Sequence, residues 1–141
     1  MDAAPPYPQL QQPVLDCTSP RVLAEFYRRL LGLVYRDGDE PPPSGAEDPE
    51  PDWLVLLKPS GERALAFQQV AELPPTTWPE PGVPQQMHLD TTVPDRSGLD
   101  AQHERALALG ARLVQDRADD PEEPLRVYAD PAGHLFCIFV G

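Results

Sequence analysis

The sequence predicts an α+β fold made of two tandem βαβββ modules, whose mixed sheets curl around a cavity. Each module opens with a predicted strand, followed by a helix that ends in Leu-Gly, at Gly32 in one copy and at Gly110 in the other. In each, a long acidic loop separates the second strand from the third, over residues 37–52 and 116–124. The same order of elements therefore occurs twice, with little residue identity between the copies.

The first module is predicted over residues 9–70. Its opening strand spans residues 9–17, and the helix that follows has Ser19 as N-cap and Pro20 in the first helical position, both favoured there. Helical spacing continues through the apolar positions Leu23, Phe26, Tyr27, Leu30 and Leu31. Three further strands are predicted over residues 33–36, 53–57 and 64–70.

The second module is predicted over residues 85–141, after a proline-rich linker at residues 71–84. Its elements are a strand at 86–93, a helix at about 97–109 and strands at 111–115, 125–129 and 134–140. Residues 1–8 are rich in proline and predict a flexible lead, which leaves one domain over residues 9–141.

Composition restricts the possible partners. The 141 residues carry a net charge of −12, which argues against nucleic acid and against anionic membrane surfaces, since both select basic proteins. The two cysteines, Cys17 and Cys137, are too few for a disulfide framework, and both fall in predicted strands as buried apolar fillers. Without a secretion signal or a long apolar run, we expect a cytoplasmic protein, and the Ala, Pro, Gly and Arg bias suggests a bacterial source.

The most informative segment is the strand that opens the second module. Because side chains alternate along a strand, His88, Asp90 and Thr92 share one face, while Leu89 and Val93 lie on the other. An imidazole and a carboxylate on one sheet face predict a catalytic pair, in which Asp90 fixes the tautomer of His88 and makes it a general base. The alternative is a structural histidine that only bonds to its neighbour.

Short motifs recur along the chain in a characteristic order. They are Leu15-Asp-Cys17 before the first helix, Phe67-Gln68, Trp78-Pro79, Gln86-Met-His-Leu-Asp90, Leu109-Gly-Ala111, Val127-Tyr-Ala-Asp-Pro-Ala-Gly-His134 and Phe136-Cys137. In this order and spacing they resemble the vicinal-oxygen-chelate superfamily, which includes glyoxalase I, bleomycin-resistance proteins and extradiol dioxygenases. More closely, the pattern resembles its glyoxalase-like domain subgroup, over residues 14–140.

The resemblance implies where a metal would bind. In metal-dependent members each module supplies two ligands, one from its first strand and one from its last. The second-module pair would be His88 and Cys137, although Cys137 stands where those enzymes usually carry Glu. The first-module pair would be Gln11 or Gln12 together with Gln68 or Gln69. Because amides and one imidazole bind divalent ions poorly, we expect a metal-free cavity; the alternative is Zn or Ni held by His88, Cys137, Gln12 and Gln68.

Several further residues are candidates for the cavity wall. The predicted ligand-binding set is Trp53, Phe67, Gln69, Thr92 and Tyr128, whose aromatic members are mainly candidates for the core but could also line the cavity. Trp78 could cover the cavity mouth or pack between subunits; the alternative is packing at a sheet edge. Three other assignments are structural: His103 is expected to be exposed on its helix, His134 and Asp130 to stabilise a turn, and Cys137 to be buried and unreactive.

The resulting hypothesis is a glyoxalase-like protein that binds a small organic molecule in the sheet cavity without a metal, either as a binder or as an enzyme of lyase or isomerase type. The alternative is a metal-dependent lyase or isomerase resembling lactoylglutathione lyase. A third reading is an interaction domain whose polar strand face is covered by another chain. The resemblance also implies a homodimer.

Overall fold

The computed structural model describes residues 6–141, so part of the predicted lead, residues 1–5, lies outside the described residues. The elements in chain order are β1 (Val14–Cys17), α1 (Pro20–Leu31), β2 (Val34–Tyr35), β3 (Trp53–Leu57), β4 (Arg63–Gln69), β5 (His88–Val93), α2 (Arg96–Leu109), β6 (Arg112–Arg117), β7 (Leu125–Ala129) and β8 (Leu135–Val140).

The two modules have the same sheet topology. Their strand orders are β1-β4-β3-β2 and β5-β8-β7-β6, so in each sheet the first strand pairs with the last. That pair is parallel in both sheets, and the other pairs are antiparallel. The predicted α+β fold of two tandem βαβββ modules is confirmed, with two four-stranded mixed sheets that do not close on themselves.

The helices begin and end at residues that satisfy their free backbone groups. The Ser19 side chain accepts a hydrogen bond from the Val22 N–H, and α1 ends at Gly32 in the left-handed conformation (φ 67°), as predicted. In α2 the Asp95 side chain accepts from the Gly98 N–H. Among the helices that the structure describes, neither has the length and apolarity needed to span a membrane.

Two opening strands are shorter than predicted. β1 starts at Val14 instead of residue 9, because its ladder with β4 begins at the Val14–Ala66 pair and Pro13 has no N–H to donate. β5 starts at His88 instead of residue 86, because Gln86 adopts a positive φ of 58° that breaks the extended backbone.

The core lies between the helices and one face of each sheet. Aromatic rings connect the two modules there: the Tyr27 ring of α1 stacks on Phe67 of β4 and meets Phe136 of β8 edge-on, each at a centroid distance of 6.1 Å. The Tyr128 ring stacks on Phe136 at 5.2 Å. A single apolar cluster therefore includes residues of both sheets and both helices.

Candidate functional site

A cleft of about 570 Å³ lies where the first strands of the two modules approach each other. Val14 and Asp16 of β1 and Gln68 of β4 form one side, while His88 of β5 and His134 form the other. The volume is within the usual range for small-molecule sites. Both modules therefore contribute polar groups to one concave surface.

His134 joins the two modules at the floor of this cleft. Its backbone N–H donates to Asp130 Oδ1 at 3.0 Å, which supports the predicted turn role of both residues. Its ring Nε2 also lies 2.7 Å from the backbone carbonyl oxygen of Asp16, and because a carbonyl can only accept, Nε2 is the donor. The second contact spans 118 residues of sequence and was not predicted.

A second, smaller cleft of about 280 Å³ lies over the open face of the second sheet, and Trp78 is among the residues that border it. His88, Asp90 and Cys137 also line it, and His88 borders the first cleft as well. Trp78 therefore lies near the polar strand face.

The three polar side chains of this face contact one another. His88 Nε2 lies 3.1 Å from Asp90 Oδ1, and the Cys137 thiol donates to the same oxygen at 2.8 Å. Asp90 pairs with Cys137 across the parallel β5–β8 ladder, which places the thiol beside the carboxylate. Burial, and then the hydrogen bond to Asp90, raise the pKa of the Cys137 thiol to about 12. The imidazole and carboxylate remain open to solvent, at 46% and 60% exposure.

The sequence model of the glyoxalase-like domain family matches residues 12–139. The chain belongs to the glyoxalase-like domain family. No curated protein sequence matches the chain.

Solved structures of the glyoxalase/bleomycin resistance/dioxygenase superfamily share the fold of this glyoxalase-like chain. A family enzyme from Burkholderia phytofirmans PsJN is 14% identical, with a TM-score of 0.66 over 92% of this chain and 96% of that one. The fosfomycin resistance protein FosX from Mesorhizobium loti is 14% identical, with a TM-score of 0.64 over 94% and 92%. FosX from Listeria monocytogenes, whose structure holds Mn(II) and sulfate, is 16% identical, with a TM-score of 0.64 over 94% and 90%.

The donor atoms of the glyoxalase-like site suit a thiophilic ion better than Mn(II). The ligand atoms of His88, Asp90 and Cys137 all lie within 4.8 Å of one another. Imidazole, carboxylate and thiolate are all zinc ligands, whereas manganese prefers oxygen donors. The two first-module positions that the resemblance implied, Gln12 and Gln68, do not complete a four-ligand set with His88 and Cys137. The Gln12 side chain lies 3.4 Å from the Arg63 guanidinium and borders neither cleft. Gln68 borders only the first cleft.

Two of the predicted ligand-binding aromatics lie in the core. Phe67 and Tyr128 are fully buried on the helix side of their sheets, since both pack into the apolar cluster, and neither borders a cleft. The Tyr128 hydroxyl also lies 2.8 Å from His103 Nδ1; His103 is half-buried, not exposed as predicted. Phe67 and Tyr128 therefore pack in the core and do not border the ligand clefts.

The other three predicted ligand-binding residues lie outside both clefts. Gln69 pairs in register with the buried Cys17, so its side chain turns away from the cleft and lies 3.4 Å from the Thr18 carbonyl oxygen; Gln68 takes the cleft position instead. Trp53 is half-buried and borders neither cleft. Thr92 follows His88 and Asp90 on their exposed side of β5, beyond both clefts.

Proposed function

We propose that this glyoxalase-like protein binds a small organic molecule in the cleft between β1 and β5, without a metal. The observation that carries the proposal is the composition of the cleft, in which the apolar side chains of Val14 and Leu89 stand beside the polar groups of Gln68 and His134. A concave apolar surface with a few convergent polar groups is typical of small-molecule sites. Residues 9–141 are proposed as the binding domain.

The contacts around Asp90 support metal independence. Asp90 Oδ1 already accepts the Cys137 thiol proton and lies against His88 Nε2. In the metal-free site the thiol, with its pKa raised to about 12, holds its proton near neutral pH, whereas a metal ligand must be a thiolate. An ion would therefore have to displace a proton and break both contacts.

His88 is the proposed catalytic residue if the bound molecule reacts, with Asp90 as its partner. The imidazole borders both clefts, and the contact with Asp90 Oδ1 supports one ring orientation. An oriented neutral imidazole can remove a proton from a bound molecule, which is the step that begins many lyase and isomerase reactions. Asp90 acts on the ring and so serves as a positioning residue.

A cleft-filling substitution tests the proposal. Val14→Trp places an indole in the cleft, and Val34→Trp is its control, because Val34 is also a strand residue of similar exposure (45% against 43%) and borders neither cleft. Native mass spectrometry of protein purified under mild conditions should detect a small organic molecule on the wild type and on Val34→Trp, and none on Val14→Trp. Retention of that molecule by Val14→Trp would place it elsewhere and refute the proposal.

The second candidate function is a metal-dependent lyase or isomerase resembling lactoylglutathione lyase. The convergence of His88, Asp90 and Cys137 supports it, and a bound Zn²⁺ or Ni²⁺ would supply Lewis-acid chemistry there. Elemental analysis of protein purified without chelator tests it. One equivalent of metal that is lost in His88→Ala and Cys137→Ser, but kept when the other buried thiol is changed in Cys17→Ser, would favour this candidate over the first.

We propose a homodimer in the bacterial cytoplasm as the working form. The apolar side chains of Tyr7, Leu10 and Met87 are exposed, at 71%, 94% and 73%, and a second copy could cover them. All of the structural neighbours named above come from bacteria. Light scattering during gel filtration should give twice the 15.6 kDa chain mass, and a monomer at all concentrations would contradict the dimer.

A further inference from the structure

The first cleft carries a single full charge, and it is negative. Asp16 is the one carboxylate among its lining residues, and the other titratable groups there are the imidazoles of His88 and His134. No lysine or arginine borders this cleft within residues 6–141. A bound anion would therefore meet no fixed positive charge.

The Asp16 carboxylate has no partner of its own in the described part of the chain. The residue is half-buried near the end of β1, and His134 donates to its backbone carbonyl oxygen, not to its side chain. Several other partly buried carboxylates are paired, such as Asp48 with Arg21 at 3.0 Å and Glu25 with Arg28 at 2.7 Å. Since taking a charged group out of water costs free energy unless it is paired, a cationic ligand group beside Asp16 would recover that cost.

The walls around Asp16 are apolar. Leu73 and Val83 come from the connector, and Leu89 comes from β5. Met87 also borders the cleft and is 73% exposed, so apolar surface extends to the mouth. A molecule that covers these side chains gains free energy through its own apolar body.

The charge of the whole protein acts in the same direction. With a net charge of −12, the chain repels anions and attracts cations at a distance. Arg117 borders the neighbouring cleft, but its guanidinium is paired with Asp120 at 2.7 Å. The surroundings of the first cleft thus differ from those expected of a site for an anion such as the sulfate present in the Listeria FosX structure.

We infer that the cleft takes an organic cation, with a protonated amine or quaternary ammonium group beside Asp16 and an apolar body against the connector. The inference rests on the proposed function, because it names the class of molecule bound in that same cleft. Asp16 is the counter-ion. Gln68 pairs with Asp16 across the β1–β4 ladder, and its amide oxygen can accept a hydrogen bond from the N–H of a protonated amine.

Three probes of similar shape test the charge preference: naphthylmethylamine, naphthylmethanol and naphthoate. Dissociation constants come from titrations followed by protein NMR, in which the amide signals of Leu89 and Gly133 report the cleft. We expect the amine to bind about tenfold more tightly than the acid, with the alcohol between them, since the attraction of the amine and the repulsion of the acid by one half-buried charge each contribute about threefold. Added salt should reduce the preference.

Two charge-matched variants assign the preference to a residue. Asp16→Asn should remove most of the difference between amine and acid and leave the Kd of the alcohol within about twofold. Asp37→Asn, which removes the same charge from an exposed loop outside the cleft, should keep the difference in Kd between the amine and the acid. Equal loss in both variants would assign the effect to net charge and overturn the role of Asp16.

The outcomes also separate this inference from the proposed function. If the three probes bind the cleft equally, or the acid binds best, the cationic class is wrong while small-molecule binding stands. If none of the probes shifts the cleft signals, the cationic class is wrong, and the copurified molecule and the Val14→Trp variant then decide the proposed function separately.

Discussion

The hydrogen bond between Tyr27 and Asp130 joins the two modules, and removing it tests how much it contributes to stability. The Tyr27 hydroxyl on α1 donates to Asp130 Oδ2 at 2.6 Å, across 103 residues of sequence. Both groups are buried, with Asp130 4% exposed, so water cannot replace the lost donor. Tyr27→Phe keeps the ring and its packing and removes only this hydrogen bond.

The magnitude depends on the charge of Asp130. Burial raises the pKa of this carboxyl above its usual range, and the Tyr27 hydroxyl acts against that rise. A hydrogen bond to a charged group contributes about 1.5–3 kcal/mol, and one between neutral groups about 1 kcal/mol. Because Asp130 keeps two backbone donors, the N–H groups of Ala132 and His134, we expect a loss of about 2 kcal/mol at neutral pH.

The sign of the pH dependence follows from the raised pKa. A carboxyl with a raised folded-state pKa adds stability below the unfolded value of about 4, and that stability is lost as the pH rises through the folded-state value. Tyr27→Phe raises the pKa of Asp130 further, since it removes a bond that favours the carboxylate. The loss on mutation should therefore be largest near neutral pH and about half as large near pH 4.

Urea denaturation of wild type and Tyr27→Phe at the two pH values measures both quantities. Tyr35→Phe is the control, since the Tyr35 hydroxyl donates to Glu25 Oε2 at 2.8 Å but is only half-buried and stays within one module. Its loss should be below about 1 kcal/mol. A loss below about 0.5 kcal/mol for Tyr27→Phe at neutral pH, or the same loss at both pH values, would refute the reasoning.

Two further changes test local features of the site. Gly133→Ala should lower the free energy of unfolding by about 1–3 kcal/mol, because the residue has a φ of 97° and its new Cβ would lie 3.0 Å from Pro75 Cβ. Gly61→Ala, at a φ of 96° in open space, should cost less in the same denaturation assay; an equal cost would exclude the Pro75 contact as a cause. The Cys137 thiol, with its pKa raised to about 12, should react slowly with a thiol reagent near pH 8. Asp90→Asn should speed that reaction by removing a charge that raises the thiol pKa, and an unchanged rate would contradict the role of Asp90.

The fold could be predicted because its signals are local. Ser19, Pro20 and Gly32 mark both ends of α1 within fourteen residues of sequence, and the structure begins and ends the helix there. The repeated order of elements then implied two equivalent sheets, which the strand orders confirm. The predicted limits of β1 and β5 were less accurate. The partner strand sets the start of β1 and the positive φ of Gln86 sets the start of β5, and the local sequence pattern predicts neither feature.

The polar face of β5 could also be predicted from the sequence, because the alternation of side chains along a strand places His88 and Asp90 on one face. The first cleft could not be predicted, since it depends on how the two modules approach each other. The contact from His134 to the Asp16 carbonyl joins residues 118 positions apart, and no local pattern encodes such a distance. The choice between Gln68 and Gln69 likewise required the register of β1 on β4.

His103 shows that some of the missing information was present in the helix pattern. The residues Leu99 and Ala106 are fully buried, and His103 lies four positions after the first and three before the second. Positions with this spacing share one face of a helix, so the imidazole belongs to the buried stripe of α2. Its Nδ1 lies 2.8 Å from the Tyr128 hydroxyl, which gives a polar partner to both groups. Polar neighbours in sequence, Glu104 and Arg105, suggested an exposed residue, but on a helix the residues three and four positions away determine which face is buried.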